Sequence, residues 1–338
     1  MTYPNEVDRR ALLKTMMSLA GGIALPRMGF ASATATMTAG KPLRGLFPIG
    51  STPFTPDDKL DQECLANEVK FCNRGGVPGF IWPQIASGWS SMSSSERFAG
   101  AEAILASGKG GKTALVIGVQ TEGNDLPGAI AYARHAAKNG ADAICSLPPK
   151  GDDAALLEYY KAIGSATDLP LFVQTIGSMS VDLIVEMYKN IPTMKVVKDE
   201  AGNPLQRVTE IRQRTGDKVG VFAGQGVRLM IDEMQLGFAG YCPVVGLADV
   251  FQEAYELYRQ GKPREAFDMF GRIQAFGTIT YANQYLMVAR GIFKENTKSR
   301  PMPGMGESSN KPQQPMTAQD KKAVVDALNL YLKPYLRA

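Results

Sequence analysis

From Leu46 onward, short runs of apolar, β-favouring residues alternate with longer segments whose apolar positions recur at helical spacing. The runs are Leu46–Thr52, Gly79–Gln84, Ala114–Gln120, Ala143–Pro148, Leu171–Thr175, Lys195–Asp199, Val219–Gly224 and Tyr241–Gly246. Most are continuously apolar, as parallel strands covered on both faces are. Asp61 can cap a helix carrying Leu65, Val69 and Cys72 on one face and stopped by Gly75-Gly76. Ser93–Ser107, Leu126–Lys138, Ala154–Ala166, Val181–Lys189, Pro204–Thr215 and Val227–Leu236 each read as a helix between two strands. The glycines of Asn139-Gly140 and Leu236-Gly237 mark helix exits. Eight strand–helix units over about 215 residues match a closed barrel, which takes roughly 250. An open doubly wound sheet is the competitor, but the first strand is not followed by a glycine-rich phosphate turn. The pattern therefore predicts an α/β fold, a (β/α)8 TIM barrel over residues 43–250.

The C-terminal part, residues 251–338, breaks the rhythm. Val250–Arg259, Pro263–Phe276 and Tyr281–Phe293 read as successive helices with no strand between them. Thr297–Met316 is a loop rich in Pro, Gly, Ser and Asn, and Thr317 can cap a last helix bearing Val324, Leu328 and Leu332. This is a helical extension packed on the barrel.

Residues 1–35 change the picture of where the protein works. Asp8-Arg9-Arg10-Ala11-Leu12-Leu13-Lys14 is similar to a twin-arginine motif, an apolar stretch runs from Met16 to Leu25, and Ala31-Ser32-Ala33 or Ala33-Thr34-Ala35 fits a small-residue cleavage rule. The expectation is an export signal, removed to leave a periplasmic protein. Arg9, Arg10, Lys14 and Arg27 against Glu6 and Asp8 place half of the formal +4 charge in this segment. The weak remainder, with no basic run, gives no reason to expect nucleic acid. No internal run reaches the roughly 18 apolar residues of a membrane span. Cys64 and Cys72, about 12 Å apart on one helix, are too far apart to bridge, and Cys145 and Cys242 lie in separate strands; all four read as small buried hydrophobes. The single histidine, His135, falls on a helix surface, which argues against a histidine-based triad, and no Cys/His spacing suits zinc.

One residue stands out chemically. In such barrels the active site lies at the C-terminal ends of the strands. Lys198 is near that end of the sixth strand, in Lys195-Val196-Val197-Lys198-Asp199-Glu200, and alternation puts it on one face with Val196. A lysine in a low-dielectric lumen has its ammonium disfavoured, which lowers its pKa and makes the amine nucleophilic. On strand position alone, a lysine paired with Asp199 with its head in solvent is the simpler reading.

A set of motifs reverses that order. They are Ser51-Thr52-Pro53-Phe54, Gly75-Gly76-Val77-Pro78-Gly79, Met92-Ser93-Ser94-Ser95-Glu96-Arg97, Asn139-Gly140-Ala141-Asp142-Ala143, Leu169-Pro170, Val197-Lys198-Asp199-Glu200-Ala201-Gly202-Asn203 and Gly237-Phe238-Ala239-Gly240. In this order and spacing the chain, from Leu43 to about Phe293, resembles the dihydrodipicolinate synthase/N-acetylneuraminate lyase family of Schiff-base barrels. The resemblance implies that Lys198 forms an imine with a 2-keto acid or sugar-acid substrate, without metal or organic cofactor, in a homo-oligomer, a tetramer or dimer.

The departures from the family pattern are specific. Its Gly-Thr-Thr-Gly-Glu loop, which holds the substrate carboxylate, is Ile85-Ala86-Ser87-Gly88-Trp89 here. Ser87 keeps one hydroxyl and is either a substrate contact or a turn serine. The tyrosine expected at the end of strand five is Gln174, which either orients a substrate oxygen or is a polar strand end. Pro149 and Lys150 replace a tyrosine pair, and Met179 stands near the place of a carboxylate-gripping arginine. A glutamine amide hydrogen-bonds but is no general acid near neutral pH, so dihydrodipicolinate synthase activity itself is not expected, and water, Lys150 or Asp199 is left to handle the proton. Cys242 in the last strand can face the lumen beside the substrate. The rival reading is a periplasmic small-molecule-binding protein on a barrel that has lost catalysis.

Overall fold

The structure, a computed structural model, describes residues 40–301 and 315–338. The expected export signal at 1–35 and most of the 297–316 loop lie outside the described residues. Eight parallel strands form one sheet in the order β1-β8-β7-β6-β5-β4-β3-β2: β1 (Gly45–Leu46), β2 (Gly79–Trp82), β3 (Ala114–Gly118), β4 (Ala143–Ser146), β5 (Leu171–Gln174), β6 (Met194–Asp199), β7 (Gly220–Ala223) and β8 (Gly240–Tyr241). The ring closes where Ile49 bridges Ile81 on one side and Val244 on the other, with Gly50 N–H donating to the Ile81 carbonyl at 2.9 Å. The fold is the (β/α)8 barrel. β1 and β8 are shorter than their apolar runs because Pro48 and Pro243 have no N–H to give the ladder, and pairing beyond them survives only as these bridges.

Seven helices alternate with the strands: α1 (Gln62–Arg74), α2 (Ser94–Ser107), α3 (Leu126–Lys138), α4 (Asp153–Gly164), α5 (Val181–Asn190), α6 (Pro204–Thr215) and α7 (Met230–Leu236). Asp61, Ser93, Asp125, Asp152 and Ser180 accept hydrogen bonds from the first turns of α1 to α5, at about 1 kcal/mol each. These caps begin the helices on the face where the strands end, so they also anchor the loops that form the site. α7 starts three residues later than its apolar pattern predicts, because Gln225–Val227 form a tight turn with Gln225, Gly226 and Val227 all at positive φ.

α8 (Ala248–Arg259), read from sequence as the start of the extension, is the eighth barrel helix: it follows β8, and its Tyr255 packs edge-on against Tyr241. α9 (Pro263–Gly277), α10 (Ala282–Ala289) and α11 (Ala318–Tyr331) form the C-terminal extension, with α11 capped by Thr317. None of the described helices is long and apolar enough to cross a membrane.

Strand alternation separates two cores. Inside the ring, Phe47, Phe172 and Phe222 meet at centroid distances of 5.2–5.8 Å with Ile81, Val116, Val196, Cys145 and Cys242 around them. Two glycines admit these rings: a Cβ at Gly79 would lie 2.1 Å from Phe47, and one at Gly240 2.4 Å from Phe222. Truncating any one of the three to Ala is expected to cost about 3–5 kcal/mol. The rings fill the lumen below the site and leave polar residues only at its mouth.

Candidate active site

β6 carries the centre of the site. Met194 and Val197 point to the surrounding helices, while Val196 and Lys198 point into the ring. Lys198 is 5% exposed, in register with Gln174 of β5 and Phe222 of β7. Its Nζ donates to Glu200 Oε2 at 2.7 Å. The simpler reading of the strand by itself, a lysine paired with the neighbouring Asp199 and its head in solvent, is not what the structure shows. Asp199 lies on the outward face, fully buried, where Arg207 of α6 holds both its oxygens at 2.9 and 3.0 Å and Thr175 donates to it at 2.5 Å.

The expected pKa shift is also corrected. Burial is the largest single influence on Lys198 and pushes its pKa down, as anticipated, but the Glu200 carboxylate and the smaller contributions beside it together outweigh burial and the net direction is up. For Glu200, burial raises the pKa, while Lys198 and the donors around it lower it overall. The resting pair is an ammonium and a carboxylate.

Glu200 is the residue that sequence reasoning missed. It sits just past the strand end, where alternation no longer tells which way a side chain faces. Four features fix it. Its backbone N–H and that of Ala201 donate to Thr175 Oγ1 at 3.0 and 3.3 Å. The Gln174 amide donates to Oε2, and the Gln225 N–H donates to Oε1 at 3.0 Å. Gly224 lies against the carboxylate, so close that a Cβ there would come within 1.8 Å of Oε1. Gln225 at φ 52° and Val227 at φ 56° hold an unusual turn that aims the Gln225 N–H at Glu200.

The other expected residues divide. Gln174 reaches the site through Glu200, and its buried Oε1 has no hydrogen-bond partner among the described residues. Cys242 lines the lumen near Lys198 together with Cys145. Burial pushes the Cys145 thiol up to about 12 and the Cys242 thiol higher still, so both stay protonated. All four cysteines are buried and unpaired. Ser87 is not brought to Lys198. Its hydroxyl donates to the Gly50 carbonyl at 2.5 Å and accepts the Gln84 N–H at 2.9 Å, which ties the loop after β2 to the end of β1. It borders a separate cavity of about 220 Å³ at the barrel mouth, whose lining includes Thr52, Asn283 and Arg300 but not Lys198. Residues 297–300 cross over that cavity: Lys298 exchanges backbone hydrogen bonds with Phe54, and Arg300 stacks on Phe54 at 3.9 Å while pairing with Asp58 and Glu96.

The remaining expectations fall outside the site. Lys150 is exposed, and its backbone N–H and carbonyl are both held by the side-chain amide of Asn124. Met179 is buried in the outer core. His135 is half-buried against Phe98 and 2.9 Å from Glu102. No group of three potential metal ligands gathers among the described residues.

A stretch of 181 residues is 30% identical to the 4-hydroxy-tetrahydrodipicolinate synthase of Methanosarcina mazei, covering 51% of this chain and 60%, less than two thirds, of that enzyme. The fold superposes on the dihydrodipicolinate synthase of Rhodopseudomonas palustris with a TM-score of 0.71 at 19% identity, over 85% of this chain and 97% of that one. It superposes on the N-acetylneuraminate lyase of Mycoplasma synoviae with a TM-score of 0.72 at 17% identity, over 86% and 98%. Residues 42–329 match the model of the dihydrodipicolinate synthetase family, and the chain, with its lumen lysine at the end of the sixth strand, belongs to that family.

Proposed function

We propose that this protein is a lyase of the aldolase, hydratase or dehydratase type that forms an imine between Lys198 and a 2-keto acid or sugar-acid substrate. The observation that carries the reading is the lysine amine held inside the lumen, at the strand ends where such barrels do chemistry, with a carboxylate as its sole hydrogen-bond partner among the described residues. An imine there withdraws electrons from the adjacent bond as it is cleaved or formed, and this chemistry requires no metal or organic cofactor. Incubation with pyruvate and a panel of keto acids and sugar acids in the presence of cyanoborohydride, followed by peptide mass spectrometry, tests it: one acid is expected to leave an adduct on Lys198. A panel that stabilises the protein against heat and leaves no adduct would favour the binding-protein reading instead.

The activity proposed differs from that named for the M. mazei relative. Gln174, Pro149, Lys150 and Met179 occupy places where the family pattern has tyrosines and an arginine, so formation of 4-hydroxy-tetrahydrodipicolinate is expected to be absent in a direct assay. We also propose export by a twin-arginine route to the periplasm. Replacing Arg9 and Arg10 by Lys is expected to keep the chain in the cytoplasmic fraction. A homo-oligomer, tetramer or dimer, is expected in sedimentation.

A further inference from the structure

Lys198 cannot attack a carbonyl in its resting state. Its amine is protonated, 2.7 Å from Glu200 Oε2, and an ammonium has no lone pair to give. A proton has to leave the nitrogen, and the described residues offer one acceptor within hydrogen-bond reach, Glu200. Asp199, the alternative carboxylate, is turned outward and clamped by Arg207. Lys150 is exposed on a loop. The position where the family pattern has a tyrosine holds Gln174, whose amide donates to the same Glu200 oxygen that meets Lys198.

We propose that Glu200 is a catalytic residue, the carrier that moves protons from the Lys198 nitrogen to the substrate oxygen, and that Gln174 is its positioning residue. The inference rests on the imine reading above. In the first step Nζ gives a proton to Glu200, leaving a neutral amine and a carboxylic acid. The amine forms the N–C bond to the carbonyl carbon, and Glu200 protonates the oxygen as the C=O π bond breaks. Glu200 then takes a second proton from the new N–C nitrogen and delivers it to the hydroxyl, which leaves as water while the nitrogen lone pair forms C=N. The net change converts an ammonium and a carbonyl into an iminium and one water, with Glu200 returned to its carboxylate beside the cation. Transfer in the resting pair is uphill, since the partners favour each other's charged forms. Burial opposes ionisation of both partners and so lessens the cost of that transfer. Gln225 N–H, Gln174 and the missing side chain at Gly224 hold the carboxylate at the nitrogen. The unpartnered Gln174 Oε1 is placed to accept from the substrate hydroxyl.

The test compares wild type, Glu200→Gln and Lys198→Ala by the rate of cyanoborohydride trapping between pH 5 and 10, with the acid that labels wild type. Glu200→Gln is nearly isosteric and can still accept the Gln225 N–H, so its melting temperature is expected to stay close to wild type. Two changes are expected together. Adduct formation at pH 7 falls at least about tenfold, a modest share of what general acid–base groups contribute. The pH at half-maximal rate moves up into this range: in wild type the active ion pair forms as Glu200 ionises below 4.5, whereas in Glu200→Gln the buried amine has to lose its proton to solvent, at the pKa of Lys198 itself. An undiminished rate overturns the proposal, as does a lower rate with an unmoved half-point, which is the signature of a structural role. A wild type that takes no adduct from any acid removes the imine reading, and this inference with it. An adduct that forms equally well in Glu200→Gln removes this inference alone.

Discussion

Two buried ion pairs in this molecule have opposite designs. At the barrel mouth, Lys198 meets Glu200 through one hydrogen bond. At the seam where the chain end returns to the barrel, Arg290 grips Asp249 with 2.8 and 3.2 Å bonds, and the same carboxylate accepts the N–H groups of Arg337 and Ala338. Arg290 also donates to the Gly246 carbonyl and to a main-chain oxygen of Ala338, and lies over the ring of Phe71 at 4.7 Å. A guanidinium does not give up its proton in a protein, and its planar fork fits a carboxylate at two points. The seam pair is therefore a fixed clamp. A lysine amine does exchange its proton and turns on a flexible stem, so the mouth pair can change charge. On the function proposed above, the identity of the cation, more than the depth of burial, separates structural from reactive pairing here.

Four changes would break or sharpen that contrast. Lys198→Ala is expected to abolish covalent trapping entirely while the protein still folds, as read by mass spectrometry and circular dichroism. Arg290→Ala strands Asp249 without its cation and is expected to cost about 3–5 kcal/mol in denaturant unfolding, with trapping per folded molecule unchanged. Trapping that disappears with Arg290→Ala in fully folded protein would show that the two regions are coupled, and the contrast would fail.

The next change concerns pH. Glu200 has a folded pKa below its ordinary 4.5, so its contribution is present above that value and is lost as pH falls through the lowered one. Lys198 has a folded pKa above 10.5, so its contribution is full below 10.5 and is lost as pH rises through the raised one. The stability difference between wild type and a Lys198→Met/Glu200→Gln double variant should be flat between these limits and shrink outside both. The smallest effect is expected at Ser87. Ser87→Ala removes the hydroxyl that joins Gly50 to Gln84 and should cost about 1–2 kcal/mol in melting experiments, since it leaves two buried backbone groups short of a partner. A large loss of trapping without loss of stability would instead make Ser87 a substrate contact.

Much of the scaffold was legible in the chain. Parallel strands covered on both faces have to be continuously apolar, so their eight runs stood out, and Gly75-Gly76, Asn139-Gly140 and the capping residues marked the intervening helices. Alternation along β6 was enough to put Lys198 in the lumen with Val196, and it also implied that Asp199 faces away, against the pairing of the two that strand position alone suggests. The eighth barrel helix was misassigned to the extension because helices on both sides of Gln260 look alike in periodicity. What distinguishes α8 is that its Tyr255 meets Tyr241 of β8, a contact between distant positions.

Period-two and period-3.6 patterning arise from backbone geometry, which acts locally, and so the sequence by itself determined the barrel, its order and the inward-facing lysine. The charge state of that lysine was decided only in three dimensions. Electrostatic fields depend on which groups lie within a few ångströms, and Glu200, Gln174 and the Gln225 N–H come to one point from three different strand ends. Burial alone would have lowered the Lys198 pKa. The tertiary arrangement reversed it by bringing one carboxylate to the amine and turning the other, its neighbour in sequence, toward Arg207.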